Sequence, residues 1–136
     1  MRCMDRYPIV VTREKNACRD FWAGVMGFQV GFDSSWFVWL GNEDQSASIA
    51  FMAPDHPSAP PGPEEFSGQG LSFELQVEDA AASLERLVAA GLRIDYPLTD
   101  EPYGQKRFGF RDPSGLWVDV VEQTEPKAGY WDRYLV

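Results

Sequence analysis

Two acidic side chains set in apolar strands are the groups of this sequence best suited to chemistry. Asp119 stands in Leu-Trp-Val-Asp-Val-Val, with Trp117 and Val121 on its side of an alternating segment. A carboxylate in such a strand is costly unless it meets water, a donor or a cation. It therefore either lines a pocket or pairs with a base, and Arg107 and Lys106 are at hand in Lys-Arg-Phe-Gly-Phe-Arg. Lys106 is the better suited to the surface, whereas Arg107 can balance Asp119 or receive a carboxylate from a ligand. Glu74 shares the polar side of Leu-Ser-Phe-Glu-Leu-Gln-Val with Ser72 and Gln76. With a raised pKa on Asp119 or Glu74 and Tyr7 as a neighbouring donor, acid–base catalysis would be open to the site. With waters, Glu74 and Asp119 would hold a hard cation only weakly.

What is scarce is as informative. The chain has one histidine, His56, in the loop-like Asp-His-Pro-Ser-Ala-Pro-Pro-Gly-Pro, where loop decoration is the expected role. A metal site built from two or three histidines of one chain is thereby excluded. Cys3 lies near the N-terminus and Cys18 on an apolar helical stripe, so reduced thiols and a cytoplasmic location are expected. Twelve Lys and Arg against twenty-one Asp and Glu give a net charge of −9. That field opposes nucleic acid and anionic membrane, and favours a neutral or cationic small molecule. No apolar run is long enough to span a bilayer, and the N-terminus lacks a signal-peptide core.

Aromatics supply the complementary surface. Trp36-Phe37-Val38-Trp39-Leu40 is a heavy apolar strand whose one face fills a core. The other offers Trp36 with Val38, or Phe37 with Trp39, as a platform for a flat ligand. Tyr7 and Met52 are further candidates for an adaptable wall. Tyr103 and Gly104 suit a loop at a cavity mouth. The tail carries Tyr130, Trp131, Tyr134 and Leu135, too much apolar area to leave free, so it is expected to cover a cavity or a second subunit in a homodimer.

These residues need a scaffold, and the element pattern is a repeat within one domain of 136 residues. Tyr-Pro-Ile-Val-Val-Thr reads as a strand. A helix follows, with Cys18, Phe21, Trp22 and Val25 at helical spacing, Asn16 as its cap and Gly27 at its end. Strands are expected in 28–41 and in 46–54. The second half repeats the order: Leu71, Phe73, Leu75 and Val77 alternate along a strand, and Asp79 caps a helix bearing Leu84, Leu87 and Val88 that ends at Gly91. Strand-like Leu-Arg-Ile-Asp-Tyr-Pro, Lys-Arg-Phe-Gly-Phe-Arg and Gly-Leu-Trp-Val-Asp-Val-Val follow. Repeat one is placed at about 5–54, a proline-rich linker at 55–67, repeat two at 68–123 and the tail at 124–136. The expected class is α+β, two βαβββ repeats forming a curled mixed sheet around a concave cavity.

In that order, Tyr-Gly-Gln-Lys-Arg-Phe-Gly-Phe-Arg-Asp-Pro-Ser-Gly-Leu-Trp-Val-Asp-Val-Val and Arg-Asp-Phe-Trp-Ala-Gly-Val-Met-Gly-Phe-Gln-Val resemble the glyoxalase, bleomycin-resistance and extradiol-dioxygenase superfamily. The resemblance implies paired βαβββ units and, in its metal enzymes, ligands on the first and last strands of a half. Carried over, the usual histidine positions fall on Tyr7 and Ser72, the usual glutamate on Asp119, and its first-half counterpart near Ala50. Tyrosine and serine are poor ligands for Zn, Ni or Mn at neutral pH, and alanine is none. No cofactor is therefore expected. The implied function is metal-free binding or sequestration of a small aromatic or cationic molecule, as in bleomycin-resistance proteins. The candidate ligand contacts are Tyr7, Trp36, Trp39 and Met52 in the first half, and Ser72, Glu74, Tyr103, Arg107, Trp117 and Asp119 in the second. Two alternatives stand beside it: a metal-dependent lyase, isomerase or dioxygenase with displaced ligands, and a protein-interaction module on a retained scaffold.

Overall fold

The computed structural model describes residues 1–56 and 64–136. The chain divides into two compact units, Met1–Gly70 with Asp112–Leu116, and Leu71–Arg111 with Trp117–Val136. In the first, β1 (Ile9–Val11) leads into α1 (Lys15–Gly24), then β2 (Gln29–Asp33), β3 (Phe37–Gly41) and β4 (Ser48–Met52). The second repeats the order with β5 (Ser72–Gln76), α2 (Ala80–Ala89), β6 (Tyr96–Glu101), β7 (Gln105–Arg111) and β8 (Trp117–Gln123). The sheets run β1-β4-β3-β2 and β5-β8-β7-β6, and in each the first strand lies parallel to the last. The architecture is thus the expected α+β one, two open four-stranded mixed sheets from two βαβββ repeats.

The registers of the two units coincide. Ile9 opposes Ala50 as Glu74 opposes Asp119, and Trp39 opposes Ala50 as Gly109 opposes Asp119. Alternation then sorts the side chains. Phe108, Phe110, Val118 and Val120 are buried on the face that takes α2 and its Leu87, leaving Arg107, Gly109 and Asp119 on the other. In the first unit Val38, Leu40, Ile49 and Phe51 pack with Cys18 and Trp22 of α1, and Phe37 and Trp39 lie on the opposite face.

Local chemistry explains the helix ends. Asp79 Oδ1 accepts from the Ala82 amide at 3.0 Å, and Gly91 adopts φ +105° beyond α2. The same left-handed glycine follows α1 at Gly27, φ +77°. Two expectations shift. Asn16 lies inside α1 and accepts from Lys15 Nζ, so it is no cap; Thr12 Oγ1 instead receives the Glu14 amide. The helix starts two residues earlier than an Asn16 cap implies, and the buried Lys15 that opens it gains Ser34 O as a second acceptor at 2.9 Å. Leu-Arg-Ile-Asp-Tyr-Pro is also mostly not a strand: Leu92 folds back, its amide on Leu87 O at 2.9 Å, and β6 begins only at Tyr96. Its apolar pattern belongs to the helix C-terminus, where a hydrophobic residue commonly seals the last turn.

The Asp-Pro-Ser-Gly turn between β7 and β8 belongs to the first unit. Asp112 Oδ2 accepts the Trp22 indole N–H at 3.0 Å, and Oδ1 accepts the amides of Ser114 and Leu116. Residues 57–63 of the expected linker lie outside the described residues. On either side of them, Arg13 joins Asp55 and Glu65 at 3.4 and 3.2 Å. Among the described residues no helix is long and apolar enough to cross a membrane.

Candidate functional site

On the α2-free face of the second sheet, Asp119 occupies an interior strand between Glu74 of β5 and Gly109 of β7. Its side chain is 5% exposed, and both its oxygens accept from Arg107 Nη1 at 3.1 Å. The arginine expected to balance Asp119 therefore does so, and within the fold rather than at the surface. The guanidinium is braced on its far side by the Tyr96 ring, 4.6 Å from Cζ to centroid, and by Glu101 Oε2, 3.9 Å from Nη2. Tyr96 in turn donates to Glu101 Oε1 at 2.8 Å. Arg107 Nε is buried with no hydrogen-bond partner among the described residues. Gly109 makes the geometry possible: a Cβ there would lie 2.3 Å from the Trp117 ring and 2.8 Å from Asp119 Oδ1.

Glu74 is exposed as a residue and stands directly opposite the buried Asp119 in the parallel register. Burial first, then a proton shared with Asp119 and the Asp119 charge, pushes the Glu74 carboxyl up to about 7, against a smaller pull from Arg107. Burial works against the Arg107 charge, yet Asp119, Tyr103 and Glu101 together hold the guanidinium above its usual value. Tyr103 is raised as well, by burial and the carboxylates Glu101, Asp119 and Glu74, with Arg107 opposing. The face thus carries one Arg107–Asp119 ion pair and one carboxyl, Glu74, poised near neutrality. Such a group can donate a hydrogen bond, accept one, or transfer a proton.

The ligand positions suggested by resemblance do not fit a metal. Ala50 is buried and offers no donor atom, Ser72 stands opposite Trp117, and Tyr7 precedes β1 in the other unit. Asp119, the one carboxylate among them, already has both oxygens on a guanidinium. Among the described residues no three His, Cys, Asp or Glu side chains gather as a ligand set.

The α1-free face of the first sheet is its apolar counterpart. Where the second sheet has Arg107 and Gly109, the matching register positions are Phe37 and Trp39. The Trp39 indole lies across two glycines: a Cβ would come within 2.5 Å of it at Gly31 and 2.9 Å at Gly41. Tyr7 meets Trp39 edge-on at 6.4 Å. Met52 is buried at the end of β4, opposite Phe37. Of the two platforms left open by the sequence, the strand thus offers Phe37 with Trp39. Trp36 lies before β3 and stacks on His56 at 4.2 Å, so the histidine expected as loop decoration has an aromatic partner.

Tyr103 and Gly104 form the β6–β7 turn, and the tail is pinned there: Trp131 Nε1 donates to Tyr103 O at 2.9 Å, and Tyr130 packs 6.3 Å from Tyr103. Tyr134 and Leu135 remain exposed. Sequence reasoning missed Tyr96, Glu101, Gly31 and Gly109. For the glycines a signal existed, since a glycine inside a strand often marks close approach of another group.

The sequence profile of the Glyoxalase/Bleomycin resistance protein/Dioxygenase superfamily matches residues 7–120. No functionally curated protein matches the chain. Among solved structures, a glyoxalase/bleomycin resistance protein/dioxygenase from Nocardioides superposes with TM-score 0.74 at 20% identity, covering 95% of this chain and 89% of that one. An integron cassette protein from the mobile metagenome of V. cholerae gives 0.70 at 15%, covering 90% and 97%. TnmS3, an antibiotic binding protein from Streptomyces sp. CB03234, gives 0.66 at 18%, covering 91% and 100%. At these identities the likeness is one of fold.

Proposed function

We propose, for a chain that belongs to the Glyoxalase/Bleomycin resistance protein/Dioxygenase superfamily, that its role is to bind and sequester a small aromatic or cationic molecule without a metal. One observation carries this reading: the carboxylate at the superfamily's ligand position is held by Arg107 on both oxygens. A metal would have to displace a charged, ring-braced guanidinium to reach it. Recognition groups remain: the Trp39 indole with Tyr7, Trp36 and Met52 in the first unit, and Glu74, Ser72, Tyr103 and Trp117 beside the ion pair in the second. Flat rings suit the indole, and the acidic surface draws cations to it. The fold likeness to an antibiotic binding protein supports the same direction. A cytoplasmic homodimer is the setting we propose for it.

The test is a thermal-shift and calorimetric screen of planar aromatic cations, with acridines and bleomycin as probes, run with and without excess EDTA. Saturable stabilisation that is indifferent to EDTA is expected, and Trp39→Ala should weaken it. Binding that disappears with chelator would overturn the metal-free reading.

A second reading has its own support in Glu74, whose carboxyl is pushed up to about 7 by burial and by the neighbouring Asp119. That is the poise of a general acid or base. Turnover of a bound compound, lost in Glu74→Gln while binding persists, would move the assignment to a metal-free enzyme.

A further inference from the structure

We infer that Arg107 is a tethered cation whose presence keeps divalent metal off the Glu74–Asp119 face, so that one residue decides between organic ligand and metal. The inference rests on the metal-free reading above and extends it to what the face would bind without that side chain.

Glu74 and Asp119 stand directly opposite each other on parallel neighbours, β5 and β8, which puts their side chains on the same face. Glu101, on β6, meets the guanidinium at Nη2 and is not part of this pair. Oxygen donors from adjacent strands are what a hard cation such as Mn²⁺ or Ca²⁺ takes, completed by water. Lys106 points to the opposite side of β7 by alternation and cannot replace the lost charge. Arg107 thus supplies the positive charge that Asp119 would otherwise draw from solution.

Its fixing is tight enough for this role. Nη1 spans both Asp119 oxygens at 3.1 Å, Tyr96 covers the guanidinium, and Asp119 is almost wholly buried. An incoming ion would need to break a desolvated charge pair and leave Arg107 with no counterion beyond Glu101. Conversely, a chain without Arg107 leaves the Glu74 and Asp119 carboxyls with no cation beside them, a place that a divalent ion completed by water can take.

The experiment is Mn²⁺ titration of metal-stripped full-length protein, followed by electron paramagnetic resonance and calorimetry, for the wild type, Arg107→Met, Arg107→Gln and Arg107→Lys. Gln keeps length and a polar head against Tyr96, and serves if the Met variant does not fold. Arg107→Met or Arg107→Gln should bind one Mn²⁺ per chain with a Kd on the order of 10⁻⁴–10⁻³ M. Wild type and Arg107→Lys should show none in that range, and adding Asp119→Asn to the Met or Gln variant should abolish the gained site. A folded Met or Gln variant that binds no more Mn²⁺ than wild type overturns the inference and leaves the metal-free reading standing. Stoichiometric Mn²⁺ on the wild type, lost in Asp119→Asn, overturns both.

Discussion

Glu74 faces Asp119 across the parallel β5–β8 pair, and only Asp119 has a guanidinium on it. Two adjacent carboxyls with one dedicated cation cannot both ionise cheaply. Burial first, then the neighbouring Asp119, pushes the Glu74 carboxyl up to about 7.

The unfolded chain loses the Glu74 proton near its ordinary 4.5, the folded chain near 7. Within that window the folded protein binds more protons, so stability falls as pH rises, and the contribution is complete only below 4.5. Solvent screening at this exposed residue keeps the effect small. Carbon-13 NMR of the glutamate carboxyls should show one titrating near neutrality. Glu74→Gln should flatten the fall in melting temperature across that window; an unchanged profile would count against the shared proton.

Asp119→Ala strands Arg107 beside Tyr96 with only Glu101 for company. Breaking a buried pair by removing one partner typically costs about 3–5 kcal/mol. Urea unfolding should show a loss of that order, reduced because the Arg107 side chain is 24% exposed. Arg107→Met combined with Asp119→Leu should cost clearly less than Asp119→Ala alone, because no charge is left unpaired.

Gly109→Ala tests the floor of the site. The new methyl would sit 2.3 Å from the Trp117 ring and 2.8 Å from Asp119 Oδ1, so indole and carboxylate must both move. A loss of about 1–3 kcal/mol is expected, as for other overpacked positions. The Glu74 titration should shift with it, since its partner is displaced. Gly31→Ala, which pushes against Trp39 in the other unit, should leave that titration in place.

Trp22 and Asp112 are both buried, and the indole N–H has the carboxylate as its acceptor. Asp112→Ala removes that acceptor and the one receiving the Ser114 and Leu116 amides. Each orphaned buried donor costs about 1–3 kcal/mol, so chemical denaturation should reveal one of the largest single losses in the chain.

Cys18 is fully buried, and burial together with the Asp112 charge pushes its thiol far above the usual range. Cys3 is exposed. A thiol reagent should therefore label Cys3 rapidly in the folded protein and reach Cys18 only on unfolding. Rapid reaction of both would show that α1 opens readily.

Features written in short-range pattern were legible from the residues. Alternation along 71–77 marked β5, Asp79 and Gly91 marked the ends of α2, and the matching order of elements marked the repeat. Ligand accounting on Tyr7, Ala50, Ser72 and Asp119 needed only residue chemistry, and Arg107 was legible as the partner of Asp119. Some element bounds were not: α1 opens at Lys15, whose ammonium is held by Ser34 O, and Leu92 is taken up by the end of α2. The meeting of Glu74 with Asp119, the bracing by Tyr96 and Glu101, and the glycines beneath Trp39 and Trp117 were decided only in the folded chain. Caps and periodicity act over a few residues, whereas strand register and ring placement are set by packing between segments far apart in sequence. A carboxyl pushed up toward neutrality by burial and by a neighbouring aspartate is a property of that packing.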